Sequence, residues 1–262
     1  EAHNQYLSGH YLIDETQEKI TLTSEDNKNA VQYRQGWLLG DGTGAGKGRQ
    51  AAGIILDNWL QGRKKALWIS KSDRLIEDAK RDWVALGGKK EDILPCKTFK
   101  SGKPIEIPQG ILFATYALLR MKGKQGKISR LEQLINWLGT EFDGVIIFDE
   151  CHAMGGAMAT KGKRGKKKAS QQGLAGLKLQ YALPHARIVY VSATGATKVS
   201  NLAYATRLGL WQTQDFPFTN QQDFISSVER GGIAAMEVVS RDLKSLGLYA
   251  SRSLSYQGVE YD

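Results

Sequence analysis

Cysteine is nearly absent from this 262-residue sequence: only Cys96 and Cys151 occur. Set far apart in sequence, they allow neither a disulfide framework nor a cysteine-paired zinc motif to be read from their spacing. A reducing compartment is the expectation. Histidine is almost as scarce, and His3, His10 and His185 have no partners at metal-ligand spacing. No apolar run approaches the roughly 18 residues of a membrane span, and the N-terminal stretch lacks the continuous apolar core of a signal peptide. A soluble, cytoplasmic protein with no membrane partner is expected.

Charge of one sign is in excess. Against 27 acidic residues stand 36 Lys and Arg, a net +9 with a sequence pI near 9.4. Such a field favours polyanions and makes nucleic acid the leading partner class, with plain solubility charge as the alternative. The 24% charged and 41% apolar composition, with six tryptophans, is that of a folding chain. The length suits one α/β domain with a sizeable core.

Short apolar runs recur at 36–40 (GWLLG), 66–70 (ALWIS), 111–115 (ILFAT), 145–148 (VIIF) and 188–192 (IVYVS). Runs that are apolar throughout are what parallel strands look like when helices cover both faces of their sheet. Between them, Ala51, Ile54, Ile55, Trp59 and Leu60 recur at helical spacing, with Gly62 as a stop, and 74–86 and 130–138 repeat the pattern. The order predicts an open, doubly wound, mainly parallel sheet with helices on both faces. Trp59, Trp83 and Trp137 are expected to cover that sheet, and 233–248 to pack as helix around the core. From 155 to 170 the composition turns to glycine and lysine, which predicts a mobile basic loop, either solvated or clamping a nucleic-acid strand.

The stretch 38–50, LLGDGTGAGKGRQ, follows the first strand and opens a helix. Gly42, Gly44 and Gly46 allow backbone N–H groups to turn onto phosphates at the positive end of a helix, and Lys47 suits the β and γ oxygens. Two positions depart from the usual phosphate-binding pattern. Asp41 stands at the first glycine, and Gly48 at the Ser or Thr whose hydroxyl ligates Mg2+. Arg49 either touches a phosphate or reaches solvent. A second site, VIIFDECHAM at 145–154, delivers Asp149 and Glu150 to the carboxyl end of a strand, where ligands bind. Asp149 suits Mg2+ and Glu150 the attacking water. Ser192-Ala193-Thr194 closes a further strand, and the ordered set points to nucleotide binding.

GDGTGAGKGR, DECH and SATGAT resemble motifs I, II and III of superfamily 2 helicase-type ATPases. Together with FDGVIIFDECHAM, LPHARIVYVSATGAT and NLAYATRLGLW they resemble the ATPase domain of the strawberry notch family, especially its bacterial and phage-borne members. The likeness covers nearly the whole chain. It implies a RecA-like P-loop NTPase lobe over 1–262 that binds ATP and Mg2+. Gly42, Thr43, Gly44, Ala45, Gly46, Lys47 and Gly48 would cradle the phosphates, beside Arg49.

By the same resemblance Lys47, Asp149 and Glu150 carry the chemistry, while His152, Ser192 and Thr194 couple the nucleotide site to nucleic acid. Ser70, Lys71, Thr115 and Tyr116 match positions that grip a nucleic-acid backbone. Gly48 fits the family's own GKGR string, so Mg2+ is expected on the phosphates, water and Asp149, helped by Thr43 or Asp41. A second RecA-like lobe, absent here, would complete the site, and the isolated lobe is expected to turn ATP over weakly. A motor lobe is the leading reading, with a nucleotide-sensing regulatory module as the alternative and a small-molecule phosphotransferase the weakest.

Overall fold

The computed structural model describes residues 1–123, 126–157, 160–162, 165–167, 169–194 and 202–252. An N-terminal antiparallel ribbon, β1 (His10–Ile13) with β2 (Ile20–Thr23), precedes the main sheet. The main sheet takes β3 (Trp37–Leu39), β4 (Lys65–Ser70), β5 (Ile93–Pro95), β6 (Gly110–Thr115), β7 (Val145–Asp149), β10 (Arg187–Val191) and β11 (Tyr249–Ala250). Its spatial order is β11-β3-β10-β7-β4-β6-β5, and every pairing is parallel.

Parallel neighbours require crossovers, and helices supply them. On one face lie α1 (Lys47–Leu60) and α2 (Ile76–Val84), on the other α3 (Tyr116–Leu119), α4 (Arg130–Leu138), α5 (Gln171–Ala182) and α6 (Gln221–Ser245). Alternation along each strand feeds both cores. From β7, Val145 and Ile147 pack with Ala52, Ile55 and Trp83, while Ile146 and Phe148 join Leu134, Leu177 and Phe224 on the opposite side. Every strand residue of β6 is therefore buried, as its unbroken apolar run implied.

The tryptophans behave as expected of sheet covers: Trp83 and Trp137 are buried, and Trp59 meets Trp83 edge-on at 5.5 Å. The helices start on recognisable caps. Ser129 and Glu132 form a capping box on α4, and Ser170 accepts from Gly173 N at the start of α5. The ribbon strands β1 and β2 escaped the sequence pattern, as did the edge strands β5 and β11, only three and two residues long, while β3 lies within its expected apolar run. Within the basic stretch 155–170, where a loop was expected, β8 (Thr160–Gly162) pairs antiparallel with β9 (Gly165–Lys167). The stretch RSLSY at 252–256 reads as an extended segment in sequence, and of it only Arg252 falls among the described residues.

Candidate nucleotide site

Strand register sets the site. Val191 of β10 is level with Leu39 of β3 on one side and with Asp149 of β7 on the other. The glycine loop, the acid pair and the Ser192 element therefore leave the same edge of three adjacent strands, about 5 Å apart each. Ser192 N donates to Leu39 O at 3.0 Å, tying the last of these to the strand that feeds the loop.

Gly44 (φ 83°) and Gly46 (φ 80°) hold the left-handed conformation that side chains resist, and Gly46 caps α1. This is the physical reason for glycine at those two positions. Lys47 opens the helix and donates from Nζ to Gly42 O at 3.0 Å, closing the loop on itself. Thr43, Gly44, Gly46 and Arg49 are exposed, and Gly42, Ala45, Lys47 and Gly48 are half-buried.

The Asp149 carboxylate is gripped from two sides. Ser70 Oγ donates to Oδ2 at 2.8 Å and Glu150 N to Oδ1 at 3.0 Å. Burial nevertheless pushes the Asp149 carboxyl above its ordinary range; the Ser70 bond opposes the rise and the Glu150 charge adds to it. Glu150 takes a left-handed backbone (φ 49°, ψ 44°), a strain on the order of 1 kcal/mol in a non-glycine residue. Its Oε2 lies 3.2 Å from His152 Nδ1, which lies 3.1 Å from Ser192 Oγ. Ser192 Oγ in turn accepts from Thr194 N at 3.2 Å and lies 3.4 Å from Thr194 Oγ1. A polar chain thus runs from the second acid to the end of β10.

Such a donor set fits a nucleotide with a divalent cation. Glycines and a lysine stand at a helix N-terminus, on the sheet edge that also carries a carboxylate whose burial beside a like charge a cation would relieve. Asp41 does not belong to that set. Its carboxylate is fully buried and accepts from Gln50 Nε2 at 2.9 Å and from Arg252 N, Nε and Nη2 at 2.7, 3.0 and 2.6 Å, so the expected help to Mg2+ from Asp41 is withdrawn.

The expected nucleic-acid grip is also revised. Ser70 is fully buried and turned to Asp149; Thr115 is buried as the N-cap of α3; Tyr116 is buried with its hydroxyl on Asp149 O at 2.8 Å. Burial leaves Tyr116 no face for a base. Of the four, Lys71 alone is exposed.

The family described as P-loop containing NTP hydrolase pore-1 matches residues 1–262. The chain belongs to that family. Among curated relatives, it is 45% identical to protein strawberry notch homolog 1 of Gallus gallus over 93% of this chain and 20% of that protein. It is 44% identical to protein strawberry notch of Drosophila melanogaster over 93% and 15%, and 40% identical to protein FORGETTER 1 of Arabidopsis thaliana over 87% and 18%. The chain therefore spans a fifth or less of these relatives' length. Among solved structures, the Sulfolobus solfataricus SWI2/SNF2 ATPase core in complex with dsDNA aligns over 86% of this chain and 42% of its own, with TM-score 0.55 and 15% identity. At that identity the likeness shows the fold: a RecA-like P-loop NTPase.

For this P-loop NTPase the sequence reading missed Gln50, Arg252 and Tyr116 as supports of the site. Each acts on a motif residue through a contact across the fold or loop, and no local spacing announces it. Among the described residues no helix is long and apolar enough to cross a membrane.

Proposed function

We propose that this chain is the ATP-binding and hydrolysing first lobe of a superfamily 2 helicase- or translocase-like nucleic-acid motor. The observation that carries the reading is the polar chain from Glu150 through His152 to Ser192, which joins the acid pair to the strand end that resembles the coupling motif. Loop N–H groups from Gly42 to Gly48, with Arg49 beside them, bind the phosphates, and Lys47 leaves Gly42 O to meet the β and γ oxygens. Mg2+, when bound, neutralises phosphate charge, with Asp149 as its carboxylate partner. Glu150 orients the attacking water and takes its proton.

His152, Ser192 and Thr194 sense whether that acid is engaged and pass the state toward nucleic acid. The partner class is supported by the +9 charge and by the dsDNA bound to the Sulfolobus ATPase core. Lys71 is the candidate phosphate contact. A second RecA-like lobe would supply the arginine that completes phosphoryl transfer, and the lobe of residues 1–262 alone would be weakly active. A bacterial or phage-borne, cytoplasmic setting belongs to the same proposal.

The test is ATP turnover by the complete polypeptide with single- and double-stranded DNA and RNA. Stimulation by one of these, abolished by Glu150→Gln with nucleotide affinity retained, is the expected result. Binding of ATP without turnover under any condition would instead favour a nucleotide-sensing module.

A further inference from the structure

Position 48 follows Lys47 in the first turn of α1, where a P-loop carries the hydroxyl that ligates Mg2+. Gly48 offers none. Nor does the backbone require glycine there, because Gly48 is not among the residues of positive φ. Glycine inside a helix is disfavoured by up to about 1 kcal/mol relative to alanine, so another constraint must hold it.

The constraint comes from α2. A Cβ built on Gly48 would overlap Asp82 Oδ2 and lie 3.4 Å from Asp82 Cγ. A carboxylate oxygen from the neighbouring helix thus fills the space in which a Ser or Thr side chain would stand. Asp82 is only 13% exposed in its side chain. Its ion pairs, to Arg49 Nη2 at 3.4 Å and Arg81 Nε at 4.0 Å, both fall on Oδ1, and among the described residues Oδ2 has no hydrogen-bond or ion-pair partner. The first turn of α1 contains no acidic residue of its own, so this oxygen is an anion brought to the helix's positive end from outside it.

We propose that Asp82 supplies, from α2, the metal-ligand oxygen that a P-loop ordinarily takes from a hydroxyl at position 48. The assignment rests on the nucleotide-site reading above. Gly48 and Asp82 form one exchange: the side chain is deleted from α1 because a donor from α2 occupies its place. Mg2+ takes oxygen ligands and accepts one or two carboxylates alongside phosphates and water, so a carboxylate can stand in for the hydroxyl. The exchange adds a negative charge, and Arg49 is the cation that balances it before metal binds.

The experiment compares ADP affinity in Mg2+ with that in EDTA, by titration calorimetry on the complete polypeptide. For the unaltered protein Mg2+ should tighten binding. Asp82→Ala and the equal-sized Asp82→Asn should shrink that Mg2+ advantage by about tenfold or more, with the EDTA affinity kept. In the Asp82→Ala background the vacated space admits a hydroxyl, and adding Gly48→Ser should restore the advantage.

An unchanged Mg2+ advantage in both Asp82 variants overturns the proposal. So does an equal loss in Arg49→Ala, which would reduce Asp82 to an anchor for that arginine. Absence of ADP binding by the unaltered protein in either buffer would instead bring down the nucleotide-site reading itself.

Discussion

Arg252 and Asp41, 211 positions apart, are joined by three hydrogen bonds: Arg252 N to Oδ1 at 2.7 Å, and Nε and Nη2 to Oδ2 at 3.0 and 2.6 Å. Gly42 N returns a fourth to Arg252 O at 2.8 Å. The residue at the loop's first glycine position is thereby strapped to the chain leaving β11, and its acid serves architecture, leaving Asp149 and Glu150 for the chemistry proposed above.

That strap has a pH signature. Burial alone would raise the Asp41 carboxyl, but the side-chain bonds from Arg252 and Gln50 and the Arg252 backbone bond together hold it below the ordinary carboxylate range. A depressed folded value means that the stability it contributes is fully present above the unfolded value, about 3.9, and is lost as pH falls below it. Asp41→Asn should lower the melting temperature at neutral pH and show a smaller further drop between about pH 4 and the acid limit than the unaltered protein. Parallel thermal melts across pH check this, and identical acid slopes would remove Asp41 from the account.

Asp149 has the opposite sign. Its raised carboxyl favours the folded state while protonated, below the unfolded value, and that contribution is lost as pH rises through the folded value. At neutral pH the ionised group opposes folding until a cation meets it. Asp149→Asn, whose amide can keep the Ser70 and Glu150 contacts, should raise the melting temperature of the metal-free protein and abolish the added stabilisation by Mg2+ with ADP. A lower metal-free melting temperature would contradict the burial argument.

Arg207 tests the core behind the site. Fully buried, it donates to the carbonyls of Gln180 and Leu183 at 2.6 and 2.8 Å and of Arg34 and Pro184 at 3.0 Å, with its guanidinium 4.7 Å from the Tyr33 ring centre. Burial pulls its pKa down to about 10, so it remains charged at neutral pH. Arg207→Leu strands those acceptors and should cost more than about 3 kcal/mol in urea denaturation. Arg207→Lys should recover little, since an ammonium has three donors and no planar fork.

The sequence by itself determined the parallel sheet and the two halves of the site. The central residues of β4, β6, β7 and β10 are buried on both faces and so are apolar, and Lys47, Asp149 and Glu150 lie in local strings whose order is visible without coordinates. Tertiary structure alone decided what each half leans on. It turned Ser70 and Tyr116 from the surface toward Asp149, bound Asp41 to Arg252 and set Asp82 against Gly48. Periodicity reports which face of an element is buried, whereas these contacts join elements whose meeting depends on crossover and strand order, quantities that no local spacing records.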